Sequence, residues 1–225
     1  GIVGTMKTER VYSKNATYQM FEVLKTNRNK RYKRGAFLVE GVRNINAAIR
    51  YGWVIESFRF PGDAQLSGWA SELLSSVDTQ LNYQLSPALM AEISGKEDTS
   101  ELLAIVRMRA DDLSQIHLSA SPLLALFDRP SNRGNLGTIL RSCDALGVDG
   151  LLLPGHGVDL YDAEVIGASM GSVFKVPTVR LSGNADLEAY LSLPRAPCPA
   201  FRVPGTPDPR DQLLFAADSG GPLLC

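Results

Sequence analysis

Cysteine is scarce in this 225-residue chain: Cys143, Cys198 and Cys225 are scattered, odd in number and form no CxxC pair. That argues against a disulfide framework or a thiolate zinc site and fits a reducing cytoplasm. Histidine is scarcer still, with His117 and His156 alone, so a histidine-rich metal cluster is not expected and no metal is assigned. No run reaches the roughly 18 apolar residues of a membrane span. The amino terminus, GIVGTMK, lacks the charged-then-apolar layout of a secretory signal, and Met6 is a candidate native start. A G-x-G-x-x-G fingerprint is also missing. Gly155-His156-Gly157 is only a two-glycine turn, which weakens the case for an ordinary α/β nucleotide-binding enzyme, and His156 reads as a loop residue rather than a base. Large net charge is absent too: at −1 the whole-molecule field does not announce nucleic acid.

What is present is an ordinary globular composition, 44% hydrophobic and 21% charged, with length enough for two modest domains. The distribution of charge says more than its sum. Lys25, Arg28, Lys30, Arg31, Lys33 and Arg34 put six cations into ten residues with no acid among them. Such a run is either a solvated basic loop or a phosphate-contacting patch, and the interleaved Tyr32 with Asn27 and Asn29 favours the patch.

The first part reads as a compact α/β unit. Tyr18, Phe21, Val23 and Leu24 suggest a helix ending in the basic loop, and Ala36 to Val39 a short strand. Val42 to Arg50 is a helix with Val42, Ile45 and Ile49 on one face, stopped by Gly52. Trp53 to Phe60 and Leu81 to Leu85 read as strands around a helix at Leu66 to Leu74. Ser86-Pro87 opens a short helix through Ile93, and Leu102 to Met108 closes the sheet. The polar, acidic stretch 111–121 is read as the linker between a domain at 11–110 and another at 122–225.

The second part restarts the alternation: strand 123–127, helix 135–146, strand Gly150 to Leu153, a helix from about Asp162 to Met170, a strand near Val176 to Leu181 and a helix from Ala185 to Leu191. That order implies a mostly parallel, two-sided sheet. Six prolines between 194 and 209 then predict an extended, irregular connection, with Leu213 to Phe215 as one last possible strand.

Residues 128–147, DRPSNRGNLGTILRSCDALG, are the most informative segment. A strand runs into a polar, glycine-bearing turn, and a helix then carries Asn135 and Arg141 past the strand's carboxyl end, where open α/β sheets bind ligands. Leu136, Ile139, Leu140, Cys143 and Leu146 are expected to form the buried stripe. Gly137, four residues before Arg141, leaves that face open to approach by backbone or ligand. Two structural alternatives stand beside this: an Arg141 that caps a loop or pairs with Asp144 or Asp149, and an Asn135 that only caps the helix.

The string Asn135-x-Gly137-x-Ile139-x-Arg141, after an apolar strand and before Ala145-Leu146-Gly147-Val148-Asp149-Gly150, resembles the first signature motif of the SpoU (TrmH-like) RNA ribose 2′-O-methyltransferases. The likeness runs from about residue 13 to 193. It includes Asn27-Arg28-Asn29-Lys30-Arg31 and Phe37-Leu38-Val39-Glu40-Gly41-Val42-Arg43, similar to the family's RNA-binding domain, and among members it is most like antibiotic-resistance enzymes acting on large-subunit ribosomal RNA. The resemblance implies an α/β fold: a ribosomal-protein-L30e-like domain followed by a SPOUT-type, Rossmann-like parallel-sheet domain. It implies S-adenosylmethionine as cofactor, ribosomal rather than transfer RNA as partner, and a homodimer. It gives Arg141 and Asn135 catalytic roles and RNA contacts to Arg28, Lys30, Arg31, Lys33, Arg34 and Arg43. The family's second motif is matched by Ala216-Ala217-Asp218-Ser219-Gly220-Gly221, so Ala216, Asp218 and Gly221 are the cofactor-binding candidates. There Ala216 replaces a glycine, and Asp218 a glutamate. The third motif has no counterpart, so the trefoil-knot tail is expected to be shortened, by truncation or by a frame shift after about Leu193. An RNA-binding module without catalysis is the alternative function.

Overall fold

The computed structural model describes residues 7–192, 200–204, 214–216 and 223–224. It divides into two units, the first taking residues up to Met108 with Tyr161–Gly167, the second taking Arg109–Leu160 and the residues from Ala168 onward.

The first unit is built on a five-stranded sheet in the order β1-β4-β3-β5-β2, with β1 at Lys7–Val11, β2 at Ala36–Glu40, β3 at Ile55–Pro61, β4 at Leu81–Leu85 and β5 at Leu103–Arg107. Only β5 runs against the others, pairing antiparallel with both β2 and β3. Helices α1 (Ala16–Thr26), α2 (Arg28–Arg34), α3 (Val42–Arg50), α4 (Gly68–Ser76) and α5 (Pro87–Ile93) complete it. Val11, Tyr18, Phe21, Leu24, Leu38, Leu85, Met90 and Ile105 share one buried cluster.

Two expectations fail here. The basic run is a helix and not a loop. Asn27 ends α1 and caps α2, its side chain accepting from the Lys30 N–H, and Gly35 closes α2 at φ 70°. With both ends capped and no breaker between them, seven residues suffice. Strand β1 was not anticipated: its first four side chains are exposed, so it carries no apolar alternation. The segment 161–167 belongs to this unit because Tyr161 is buried against Phe37, with ring centres 4.5 Å apart.

The second unit holds a six-stranded sheet in the order β11-β10-β9-β6-β7-β8. Its strands are β6 at Leu124–Asp128, β7 at Gly150–Pro154, β8 at Thr178–Leu181, β9 at Ala200–Pro204, β10 at Leu214–Ala216 and β11 at Leu223–Leu224. Strands β9, β6, β7 and β8 are parallel, and β10 pairs antiparallel with both β9 and β11. Its helices are α6 (Arg133–Leu146), α7 (Ala163–Ser169), which begins in the first unit, α8 (Ser172–Lys175) and α9 (Asn184–Leu191). Residues 111–121 lie on this unit. Asp111 accepts from the Arg180 backbone N–H at 3.0 Å, and Ile116 packs into the cluster of Leu124, Leu126, Leu152 and Val179.

The proline-rich stretch departs from expectation, since β9 lies within it and sits between β6 and β10. The reason is spacing: Ala200 to Val203 keep their N–H groups, and Pro204 occupies the strand's last position.

A buried cation tests the first unit's packing. The Arg59 guanidinium lies 3.4 Å from the ring centre of Phe21 and 5.0 Å from that of Tyr83, and donates to Ser57 Oγ at 2.9 Å. Burial pushes its pKa from 12.5 down to about 9. The unfolded chain therefore holds this proton more tightly, so the charge costs stability throughout the neutral range and the cost fades only above pH 9. At pH 7 Arg59→Met is expected to keep or raise the urea midpoint, whereas Arg59→Ala, which leaves a void, should cost about 2–4 kcal/mol. A larger loss with methionine than with alanine would refute this.

Candidate active site

Strand order defines the place. From β6 the chain moves outward to β7 and β8, then returns through α9 to β9 on the other side of β6. The order therefore reverses between β6 and β9, and the crevice beyond their carboxyl ends, at Asp128 and Pro204, is a topological switch point.

The loops at that end are tightly tied. The Arg129 N–H donates to the Pro154 carbonyl at 3.2 Å, and the Val158 N–H to the Pro130 carbonyl at 2.8 Å. Any side chain at residue 157 would meet the Pro130 backbone at about 2.7 Å, so Gly157 is what lets the turn after β7 lie flush on the loop after β6. Arg129 is held at φ 46°, a conformation uncommon for a residue with a side chain, and its guanidinium pairs with Asp128 at 3.0 Å. Neither feature was legible beforehand.

Helix α6 starts directly after this loop. Asn132 is its cap, accepting from the Asn135 N–H at 2.9 Å, and Gly147 ends it at φ 67°. The capping role considered for Asn135 thus belongs to Asn132, and the Asn135 side chain is exposed. The buried stripe is Leu136, Gly137, Leu140 and Cys143. Ile139 is only half-buried and Leu146 is 63% exposed: the packed face is narrower than expected because Gly137, not a large residue, turns inward. Burial pushes the Cys143 thiol up to about 12, which makes it a packing residue rather than a nucleophile.

Arg141 is exposed, and among the described residues it has no hydrogen bond or ion pair. Its two nearby acids are occupied. Asp144 takes Lys175 Nζ at 2.6 Å and Ser172 Oγ at 3.0 Å, while Asp149 accepts from the Leu123 N–H and Ser119 Oγ, both at 3.1 Å. The salt-link alternative for Arg141 is therefore not realised. Asn135 and Arg141 are not joined: six helical residues separate them by about 9 Å along the axis.

The basic candidates divide. Lys30, Lys33 and Arg43 are exposed; Arg34 is exposed but 3.6 Å from Glu56; Arg28 lies half-buried over the Tyr32 ring at 5.9 Å. Arg31 does not belong with them. Its side chain is 2% exposed, donates to the carbonyls of Leu24 and Lys25 at 3.2 Å each, and stands 3.9 Å from Asp162, so it braces the first unit and offers nothing to a surface ligand. Of the cofactor candidates, the Ala216 backbone ends β10, and Asp218 and Gly221 lie outside the described residues.

Comparison with known proteins gives two family matches. Residues 15–104 match the SpoU L30e-like domain and residues 122–198 the SpoU rRNA methylase family. The chain is 38% identical to a 23S rRNA (uridine(2479)-2′-O)-methyltransferase of Streptomyces viridochromogenes over 98% of its own length and 77% of the relative's. It is 25% identical to a 23S rRNA (guanosine(2553)-2′-O)-methyltransferase of Bacillus subtilis over 75% of its length and 63% of the relative's. Its structure resembles that of the SpoU methyltransferase AviRb from Streptomyces viridochromogenes in complex with AdoMet, with TM-score 0.75 and 42% identity, covering 79% of this chain and 67% of that one. It also resembles an rRNA methyltransferase from Sinorhizobium meliloti, with TM-score 0.70 and 25% identity, covering 82% and 69%.

Two substitutions check the geometry. A methyl group at residue 137 would collide with Ala168 Cβ and lie 2.8 Å from the Ala168 carbonyl carbon, so Gly137→Ala should cost about 1–3 kcal/mol by thermal unfolding. An unchanged melting temperature would show that the contact is not tight. Arg31→Ala should lower the melting temperature and leave the salt dependence of RNA binding unaltered. A shallower salt slope with unchanged stability would return Arg31 to the surface.

Proposed function

Since the chain belongs to the SpoU rRNA methylase family, we propose that it transfers the methyl group of S-adenosylmethionine to a ribose 2′-hydroxyl of ribosomal RNA. The observation that carries this is Arg141, an exposed cation on the helix that follows the switch-point strand, with both neighbouring acids engaged elsewhere.

A ribose hydroxyl is a weak acid. As it attacks carbon it sheds its proton and its oxygen becomes negative, so a fixed guanidinium beside it lowers the barrier. Arg141 supplies that charge without having to break another ion pair first. Asn135, exposed in the first turn of α6, holds the nucleotide by its amide. Lys30, Lys33, Arg34 and Arg43, with Arg28, contact phosphates, which fixes the register of the RNA.

The cofactor suits the crevice on one observation. The turn Gly155–Gly157 lies flush on the loop after β6, tied to it by the Val158 N–H on the Pro130 carbonyl, so the two loops make one continuous wall beyond the strand ends for the adenosyl group to lie against. Bound there, the sulfonium supplies an electrophilic methyl group. Ala216, Asp218 and Gly221 join this wall by the resemblance alone. A homodimer working in the cytoplasm is likewise proposed on the resemblance. No helix among the described residues is long and apolar enough to cross a membrane.

The test pairs two variants. Arg141→Ala should lower methyl transfer at least about 100-fold while RNA affinity stays within about twofold. Retained transfer would remove Arg141 from the chemistry. Lys30→Ala with Lys33→Ala should weaken RNA binding and reduce the slope of log affinity against log salt by about 1.5–2, with an unchanged slope counting against the basic helix.

A further inference from the structure

We propose that Met170 forms an apolar wall of the seat for the substrate nucleotide, beside Arg141, an inference that rests on the methyltransferase reading. Three observations converge on this residue, all within the second unit.

The first is backbone strain. Helix α7 ends at Ser169, and the next two residues are both left-handed, Met170 at φ 48° and Gly171 at φ 93°. Glycine adopts that conformation freely; methionine does not. Strain of this kind persists where surrounding contacts hold it and clusters at ligand sites.

The second is exposure. Ser169 is fully buried, Gly171 and Ser172 are buried as well, yet Met170 between them is 41% exposed. The strain therefore does not serve to bury the side chain. It turns a long, polarisable apolar group outward.

The third is position. Ala168 and Ser169 are seated on Gly137, and Ser172 and Lys175 are bonded to Asp144. Gly137, Arg141 and Asp144 follow one another at spacings of four and three along one stripe of α6. The segment from Ala168 to Ser172 is thus pinned at the turns on either side of Arg141, and its midpoint is Met170.

A flexible thioether next to a free cation suits a nucleotide lifted out of its stack. The side chain packs against the flat base or the sugar, as proteins that read single-stranded RNA commonly arrange. It also displaces water from the guanidinium, which strengthens the field at the reacting oxygen.

Two measurements on the full chain test this. The first is oxidation of Met170 by dilute hydrogen peroxide, followed by peptide mass spectrometry with and without a saturating ribosomal RNA fragment, with Met20 of the first unit as internal reference. RNA should slow Met170 sulfoxide formation about fivefold or more and leave Met20 unchanged. An unchanged Met170 rate overturns the proposal. The second is Met170→Gly, which should melt at the same or a higher temperature because the strain is relieved, yet lose about tenfold in kcat/KM for the RNA. Activity within about twofold of wild type, or a loss that tracks a lower melting temperature, overturns it. If the wild-type chain transfers no methyl group while RNA still protects Met170, the methyltransferase reading fails and the contact stands.

Discussion

The site depends on a missing side chain. Helix α6 can lie against the end of α7 only because residue 137 is glycine, with the Ala168 carbonyl carbon and the Ser169 nitrogen so close that a methyl group would meet both at 3.0 Å or less. Close packing of this kind is unforgiving, because a core transmits a displaced atom instead of absorbing it. The contact sets the distance between α6 and the segment that follows α7. That in turn decides that Ser172 and Lys175 reach Asp144 and so keep this acid from Arg141.

The electrostatic state of Arg141 is therefore a consequence of packing. Two carboxylates stand within reach along the chain, and each is satisfied by groups from elsewhere in the unit: Asp144 by α8, Asp149 by Ser119 and the Leu123 N–H. A cation left in this state, on the helix that follows the switch-point strand, has its field available for a charge that develops during reaction. On the proposed reading that charge is the one on the ribose oxygen, and the geometry says why this residue can meet it.

Much of this could be read in the residues alone. Helix α6 was legible because it carries its own punctuation, a polar turn before and Gly147 after, around an apolar repeat. The parallel sheet followed from the alternation of apolar runs with helical patterns. What escaped were features set by distant partners or by too little apolar signal. RNKRYKR has no apolar stripe, so α2 passed for a loop even though Asn27 and Gly35 bracket it with capping chemistry. Arg31 looked like its basic neighbours because Asp162, near which it is buried, comes far later in the chain. Strand β1 shows solvent four polar side chains in a row, and β9 is hidden among prolines of which only Pro204, its last residue, falls within the strand. That Arg141 would be left without an acid could not be read at all, since Asp144 and Asp149 are as close in sequence to it as any true partner.

The account rests on the Arg141 guanidinium meeting the oxygen that is methylated. A crystal structure of the chain with a ribosomal RNA fragment and the demethylated cofactor would examine this directly. The guanidinium should lie within hydrogen-bonding distance, about 3 Å, of the target ribose 2′-oxygen. An Arg141 turned back onto Asp144 or Asp149, with the ribose held by other groups, would contradict it.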